Sequence, residues 1–228
     1  MKLYGIVGTG GFGREVLPVA VKMLADQMDD ADSDCDVVFV DENTHNRSAC
    51  NGHPLYDVAE FLAHPAPEKF FNIAIANTTV RKRVAEQLIN AGIRPFRITA
   101  PNFLGLDNNQ IDEGAIFCPF TMVTSNARIG RFFHANIYSY VAHDCQIGDY
   151  VTFAPGVHCN GNVIIEDHVY VGTGVVIREG TSEKPIIIGQ GATLGMGAVI
   201  TKSVPPFETV VGNPARPLRS KVLTDSAG

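Results

Sequence analysis

VAHDCQIGDYVTFAPGVHCNGNVIIEDHVYVGTGVVI, residues 141–177, carries an apolar residue at every sixth position: Val141, Ile147, Phe153, Cys159, Ile165, Val171 and Ile177. The beat reaches back through Ala135, Ile129, Val123 and Phe117 to Ile111, and resumes at Ile188, Leu194 and Ile200. Four residues after most of these stands a small or β-branched residue, among them Ala115, Thr121, Ser139, Val151, Val157 and Val163. A six-residue period is the mark of a parallel β-helix, whose triangular coils of three hexads stack and share a core. The fifteen hexads predict about five coils. Each anchor and the residue four later point inward; the other places point outward or form corners. Glu183 to Ile187 break the frame and are expected to bulge as a loop.

Residues 1–100 read differently, as alternating strands and helices. Leu3 to Val7 form an apolar run that ends in Gly8-Thr9-Gly10-Gly11-Phe12-Gly13, and Val16, Leu17, Ala20, Met23 and Leu24 carry a helical period with Pro18 inside it. Val37 to Val40 form a second strand ending at Asp41, and Phe70 to Ala76 a third. Thr79 is placed to cap a helix that stops at Gly92, and Arg94 to Thr99 form a last strand. Such alternation implies a parallel sheet with right-handed crossovers. The expected architecture is α/β plus all-β: a small Rossmann-like domain over 1–100, a β-helix over 101–220 and a tail over 221–228.

The spacing Gly8-x-Gly10-x-x-Gly13 follows a strand and opens a helix, where backbone N–H groups can meet a phosphate. It reads either as a tight structural turn or as a nucleotide site. In the second reading the site is formed by Gly10, Gly11, Asp41 and Asn77, with Asp41 accepting from a sugar hydroxyl. Asp41 lies beyond the spacing usual for a dinucleotide fold. The acidic run Asp29 to Asp36 lacks the glycine and terminal glutamate of a calcium loop and is expected to be a solvated loop.

A net charge of −6 argues against nucleic acid as a partner. Five cysteines without metal-type spacing fit a reducing compartment, and neither a signal peptide nor a membrane span is legible, so the expected location is cytoplasmic. Phe120, Met122, Phe132, Ile137, Tyr138, Tyr140, Tyr150, Ile164 and Tyr170 all fall on outward places. An apolar exterior of that size calls for self-association, and a three-sided prism suits a homotrimer.

Of the seven histidines, His143 stands at the third place of its hexad, outside the prism near a corner. Asp144 beside it can orient the imidazole or stabilise its charged form. His134 and His158 are expected at the surface or an interface. Cys145 and Cys159 fall on inward places, where a thiol is a poor nucleophile. No set of histidines and carboxylates has metal spacing, so no metal is expected.

The glycine-rich opening, the hexads, the segment Ala142-His143-Asp144-Cys145-Gln146-Ile147-Gly148-Asp149 and the ending Val211-Gly212-Asn213-Pro214-Ala215-Arg216 together resemble one sugar acyltransferase family. That family includes the sialic acid O-acetyltransferases and the bacillosamine and other nucleotide-amino-sugar N-acetyltransferases. The resemblance covers nearly the whole chain. It implies a left-handed β-helix, a homotrimer, acetyl-CoA as cosubstrate, a front domain that holds a sugar nucleotide, and an active site between neighbouring prisms. By the same resemblance His143 is the catalytic base, Asp144 its partner, and Asn136 a substrate contact. Glycine-rich turns at Gly161, Gly195 and Gly197 leave room for the pantetheine arm, with Lys202 and Arg216 as candidates for its phosphates. Two departures stand out: Thr152 replaces a second histidine, and Phe12-Gly13 replaces a His-Ala pair.

The expected reaction is direct acetyl transfer to an amino group of a nucleotide-linked sugar for surface glycan synthesis. O-acetylation of sialic acid or another sugar hydroxyl is the alternative, and an NAD-binding oxidoreductase a distant one. A non-enzymatic scaffold and a γ-carbonic-anhydrase-like hydrolase are further rivals; the latter lacks its zinc histidines.

Overall fold

The computed structural model describes residues 1–27, 35–44 and 47–218. Asp29 to Asp34 of the acidic run and the 221–228 tail lie outside the described residues. The front of the chain runs β1 (Lys2–Val7), α1 (Gly11–Gln27), β2 (Cys35–Val40), β3 (Ala49–Cys50), β4 (His53–Tyr56), α2 (Val58–Ala63), β5 (Glu68–Ile73), α3 (Thr78–Asn90) and β6 (Arg94–Pro95). Its sheet has the order β3-β4-β2-β1-β5-β6, with β1 parallel to both β2 and β5. Helix α1 runs through Pro18, which lies on the solvent side, so the carbonyl that loses its partner there can turn to water. Helix α3 is capped by Asn77, whose side chain accepts from the Val80 N–H at 3.0 Å, and not by Thr79, which lies inside the first turn. Gly92, at φ +80°, ends it as expected.

The predicted strand Arg94 to Thr99 is two strands. Arg94–Pro95 belongs to the front sheet, while Ile98–Thr99 pairs with Ile116–Phe117 as the first rung of the second half. From there the backbone winds as a triangular prism with three parallel sheets. His134 pairs with Ile116 and Thr152 with His134, one coil of eighteen residues per step. The inward places hold one continuous apolar stack, including Phe117, Ala135, Phe153, Val171, Leu194 and Val210 on one wall. Each fully buried Val, Ile, Leu or Phe adds roughly 1.5–3 kcal/mol. The frame breaks earlier than expected. Val163 pairs with Ile186, where an unbroken coil would have brought Thr181. The excursion therefore ends before Ile186 and Ile187, which are back in a strand because their branched side chains suit the sheet.

Corners between hexads demand positive φ. One edge meets this with Asn108, Asn126, Asp144 and Asn162, at φ 56–59°. Asn and Asp tolerate that region because their short polar side chains bond locally. A second edge uses aromatic residues instead. Phe132, Tyr150 and His168 stack in a column with centroids 5.5 and 5.3 Å apart, and Phe71 of β5 joins its top at 6.0 Å.

That column corrects the sequence reading of the exterior. Phe132 and Tyr150 are buried, but by the front domain of the same chain and not by another copy. His134, expected at the surface or an interface, is 1 % exposed beneath α3, at the interface between the two halves of the chain. The reason is Arg81, which the sequence presents as one more polar helix residue. It is fully buried and spans the seam between the two halves. Its Nη1 bonds Ile75 O and His134 Nδ1, each at 2.9 Å. Its Nη2 donates to Tyr150 O and to Thr152 Oγ1, the latter at 3.0 Å. Among the described residues no carboxylate pairs with it, and burial pulls the guanidinium down to about 9, still charged at neutral pH. Thr152, the residue in place of a second histidine, is thereby committed to the seam.

Candidate active site

His143 and Asp144 lie where the strand Tyr140–Val141 turns toward Gln146–Ile147. Asp144 takes the left-handed corner at φ 58°, which swings its carboxylate back onto its neighbour. The His143 Nδ1 to Asp144 Oδ2 distance is 2.8 Å. The His143 side chain stays 48 % exposed, so a ligand can reach the ring. Its pKa is raised, first by the hydrogen bond to Asp144 and then by the charges of Asp144 and Glu179. An imidazole so oriented has the geometry that general base catalysis requires.

One coil later the ring meets Gly161. A Cβ there would fall 2.4 Å from His143 Cε1 and 2.6 Å from Nε2. The room that the glycine leaves, read from sequence as space for a pantetheine arm, is filled by the imidazole. The preceding residue, Asn160, holds the floor: it accepts from Tyr140 Oη at 2.8 Å and donates to Ile177 O at 2.8 Å. Sequence reasoning missed Asn160, and also Glu179, whose Oε1 lies 3.6 Å from His143 Nε2. The signal for Glu179 was the eighteen-residue coil itself, which places 143, 161 and 179 in one column.

The remaining predicted residues fall in three places. Lys202 and Arg216 line one cavity of about 290 Å³, and Lys202 also lines a second of about 510 Å³ with Glu179. Asn136 lies at the other end of the Tyr140 strand, in a cavity of about 150 Å³ lined by Phe12, His134, Thr152, Tyr170 and Thr173. Gly195 and Gly197 share that edge; the space at Gly195 is taken by Val211, whereas Gly197 is open. Gly10 and Gly11 are open at the start of α1, while Gly13 permits close packing, since a Cβ there would fall 1.9 Å from Gly8 O. Asp41 accepts from Thr9 N at 3.0 Å and Thr9 Oγ1 at 2.7 Å, tying the ends of β1 and β2 together. Asn77 spends its carbonyl oxygen on the α3 cap. Within one chain the His143 edge and the Asn136 edge are thus separate sites. Among the described residues no group of three His, Cys, Asp or Glu side chains converges as a metal site would require, and no helix is long and apolar enough to cross a membrane.

Residues 5–88 match the family model of the PglD N-terminal domain. Over 219 residues, 96 % of the chain and 97 % of the relative, the sequence is 50 % identical to GDP-perosamine N-acetyltransferase of Escherichia coli O157:H7. The chain belongs to the sugar N-acetyltransferases. Among solved structures of this family, WeeI from Acinetobacter baumannii AYE superposes with a TM-score of 0.89 at 50 % identity, covering 96 % of this chain and 100 % of its own. The acetyltransferase domain of PglB from Neisseria gonorrhoeae FA1090, solved in complex with acetyl coenzyme A, gives a TM-score of 0.82 at 27 % identity, covering 95 % and 98 %. The prism of this sugar N-acetyltransferase is accordingly a left-handed parallel β-helix behind a small Rossmann-like domain. The glycine-rich turn that could have signalled a dinucleotide enzyme lies within the span matched by the PglD N-terminal model.

Proposed function

We propose that this enzyme transfers the acetyl group of acetyl-CoA directly to the amino group of a nucleotide-linked amino sugar, with His143 as general base. The observation that carries this reading is the exposed imidazole fixed through Nδ1 by Asp144 at 2.8 Å, with Nε2 free of any hydrogen bond among the described residues. The 50 % identity to an enzyme named for GDP-perosamine makes a GDP-linked amino sugar the first acceptor to test. The PglB acetyltransferase domain, with acetyl coenzyme A in its complex, supports the cosubstrate. Its phosphates would meet Lys202 and Arg216.

In the reaction His143 Nε2 takes a proton from the acceptor nitrogen, whose lone pair attacks the thioester carbonyl. The backbone N–H of Gly161, on which the ring rests, is the candidate donor to the tetrahedral oxyanion. The front domain would hold the nucleotide through the open Gly10-Gly11 turn, Asp41 and Asn77, with Asn136 toward the sugar.

The enzyme works as a homotrimer in the cytoplasm in this reading. Leu104, Met122, Ile137 and Tyr138 remain exposed after the front domain has covered its face, and the His143 and Asn136 edges need a neighbouring prism to form one site. Cys50, Cys118, Cys145 and Cys159 are free thiols, as suits a reducing compartment. Thiol release is the assay, run over GDP-, UDP- and dTDP-amino sugars and sialic acid. Turnover of a nucleotide amino sugar that His143→Ala lowers by about 10²–10⁴-fold, with acetyl-CoA still bound, is expected. Retained turnover in that variant removes His143 as the base, and a monomer in light scattering removes the shared site.

A further inference from the structure

His143, Gly161 and Glu179 stand in one column on the prism edge, one eighteen-residue coil apart. The backbone fixes this stack: Asn162 N–H donates to His143 O and Gly180 N–H to Gly161 O, both at 3.0 Å. Since Gly161 carries no side chain, the imidazole spans its level and Nε2 comes within 3.6 Å of Glu179 Oε1. Nδ1 is occupied by Asp144, so Nε2 is the nitrogen that receives the substrate proton.

A base must be unprotonated to act, and one carboxylate on Nδ1 already suffices to orient it. A second carboxylate beside Nε2 opposes that state, because it favours the imidazolium. Its presence is explained if the acceptor itself arrives as a cation. The groups that act on the charge of His143 are Asp144, Glu179 and the Cys145 thiol. Among the described residues Glu179 has its ion pair with His143 alone, although Arg178, Lys184 and Lys202 line the same cavity.

We propose that Glu179 receives the ammonium form of the acceptor beside His143 Nε2 and so selects an amine over a hydroxyl. This rests on the reading of the acceptor as an amino sugar. The ammonium gives one proton to Nε2 and becomes a free amine. Its lone pair forms the C–N bond to the thioester carbonyl, and the C–S bond breaks. The second nitrogen proton passes to the departing thiolate, giving amide and CoA thiol, and His143 returns its proton to solvent. At the zwitterionic stage, when nitrogen is positive, Glu179 again stabilises that charge. A hydroxyl acceptor starts neutral and gains less from the carboxylate.

The test is kcat/KM against pH for wild type, Glu179→Gln and Glu179→Asp, with a nucleotide amino sugar and with its hydroxyl counterpart, alongside acetyl-CoA binding by calorimetry. Glu179→Gln is expected to lose about tenfold on the amine, the size of one charge-assisted hydrogen bond. It should also lose selectivity over the hydroxyl, move its acid limb to lower pH and bind acetyl-CoA unchanged. Glu179→Asp recovers part of the loss. An unchanged amine rate and acid limb in Glu179→Gln overturn the role of Glu179. Wild type that acetylates only the hydroxyl compound overturns the amine reading, and this proposal with it.

Discussion

The imidazole of His143 rests on the bare face of Gly161, so close that a Cβ at Gly161 would lie 2.4 Å from its Cε1. Gly161→Ala therefore evicts the ring from its bed while removing none of the proposed chemical groups. A displacement near 1 Å at a base costs about 10²-fold in kcat. Steady-state kinetics should give that loss, with the melting curve little changed. A variant within twofold of wild type would show that the ring does not act from this position.

Asp144→Asn is a clean test of the charge. Asparagine already occupies the same left-handed corner at Asn108, Asn126 and Asn162, so the fold loses nothing. The carboxylate that raises the pKa of His143 is gone, and the acid limb of kcat/KM should shift to lower pH. The rate should fall about tenfold or more, because the imidazolium loses its charge-assisted partner. An unmoved acid limb would separate Asp144 from catalysis.

Arg81 joins the two halves of the chain. Arg81→Ala leaves Tyr150 O and Thr152 Oγ1 without their donor and opens a cavity at a fully buried place. Destabilisation of about 3–5 kcal/mol is expected in urea unfolding. Arg81→Lys should lie between, since it keeps the charge but not the fork of donors. A loss under about 1 kcal/mol in the alanine variant would contradict the seam described here.

His134 makes the seam sensitive to acid. Burial first, and Arg81 second, hold its pKa well below the ordinary 6.5. Below that value the unfolded histidine binds a proton that the folded one refuses, so stability is full above pH 6.5 and falls as pH drops beneath it. The drop in Tm between about pH 8 and about pH 5.5 should be smaller in His134→Asn, which keeps an acceptor near Nδ1 but cannot titrate. His168, also lowered by burial, titrates in both proteins, so the difference between them reports His134. Equal drops would place the acid sensitivity elsewhere.

By itself the sequence determined the prism, its inward stack and the exposed place of His143 beside Asp144. Period is local information: a hexad repeat dictates which side chains face inward without reference to anything distant in the chain. The Gly92 stop and the strand–helix alternation of the front were legible for the same reason. Tertiary structure alone decided the rest. It buried Arg81, His134, Phe132 and Tyr150, because only the docking of α3 on one prism face brings residues 81 and 134 to 2.9 Å. It also turned Gly161 from a free space into the seat of the imidazole and set Glu179 against Nε2, contacts that arise between coils and depend on where a ring comes to rest.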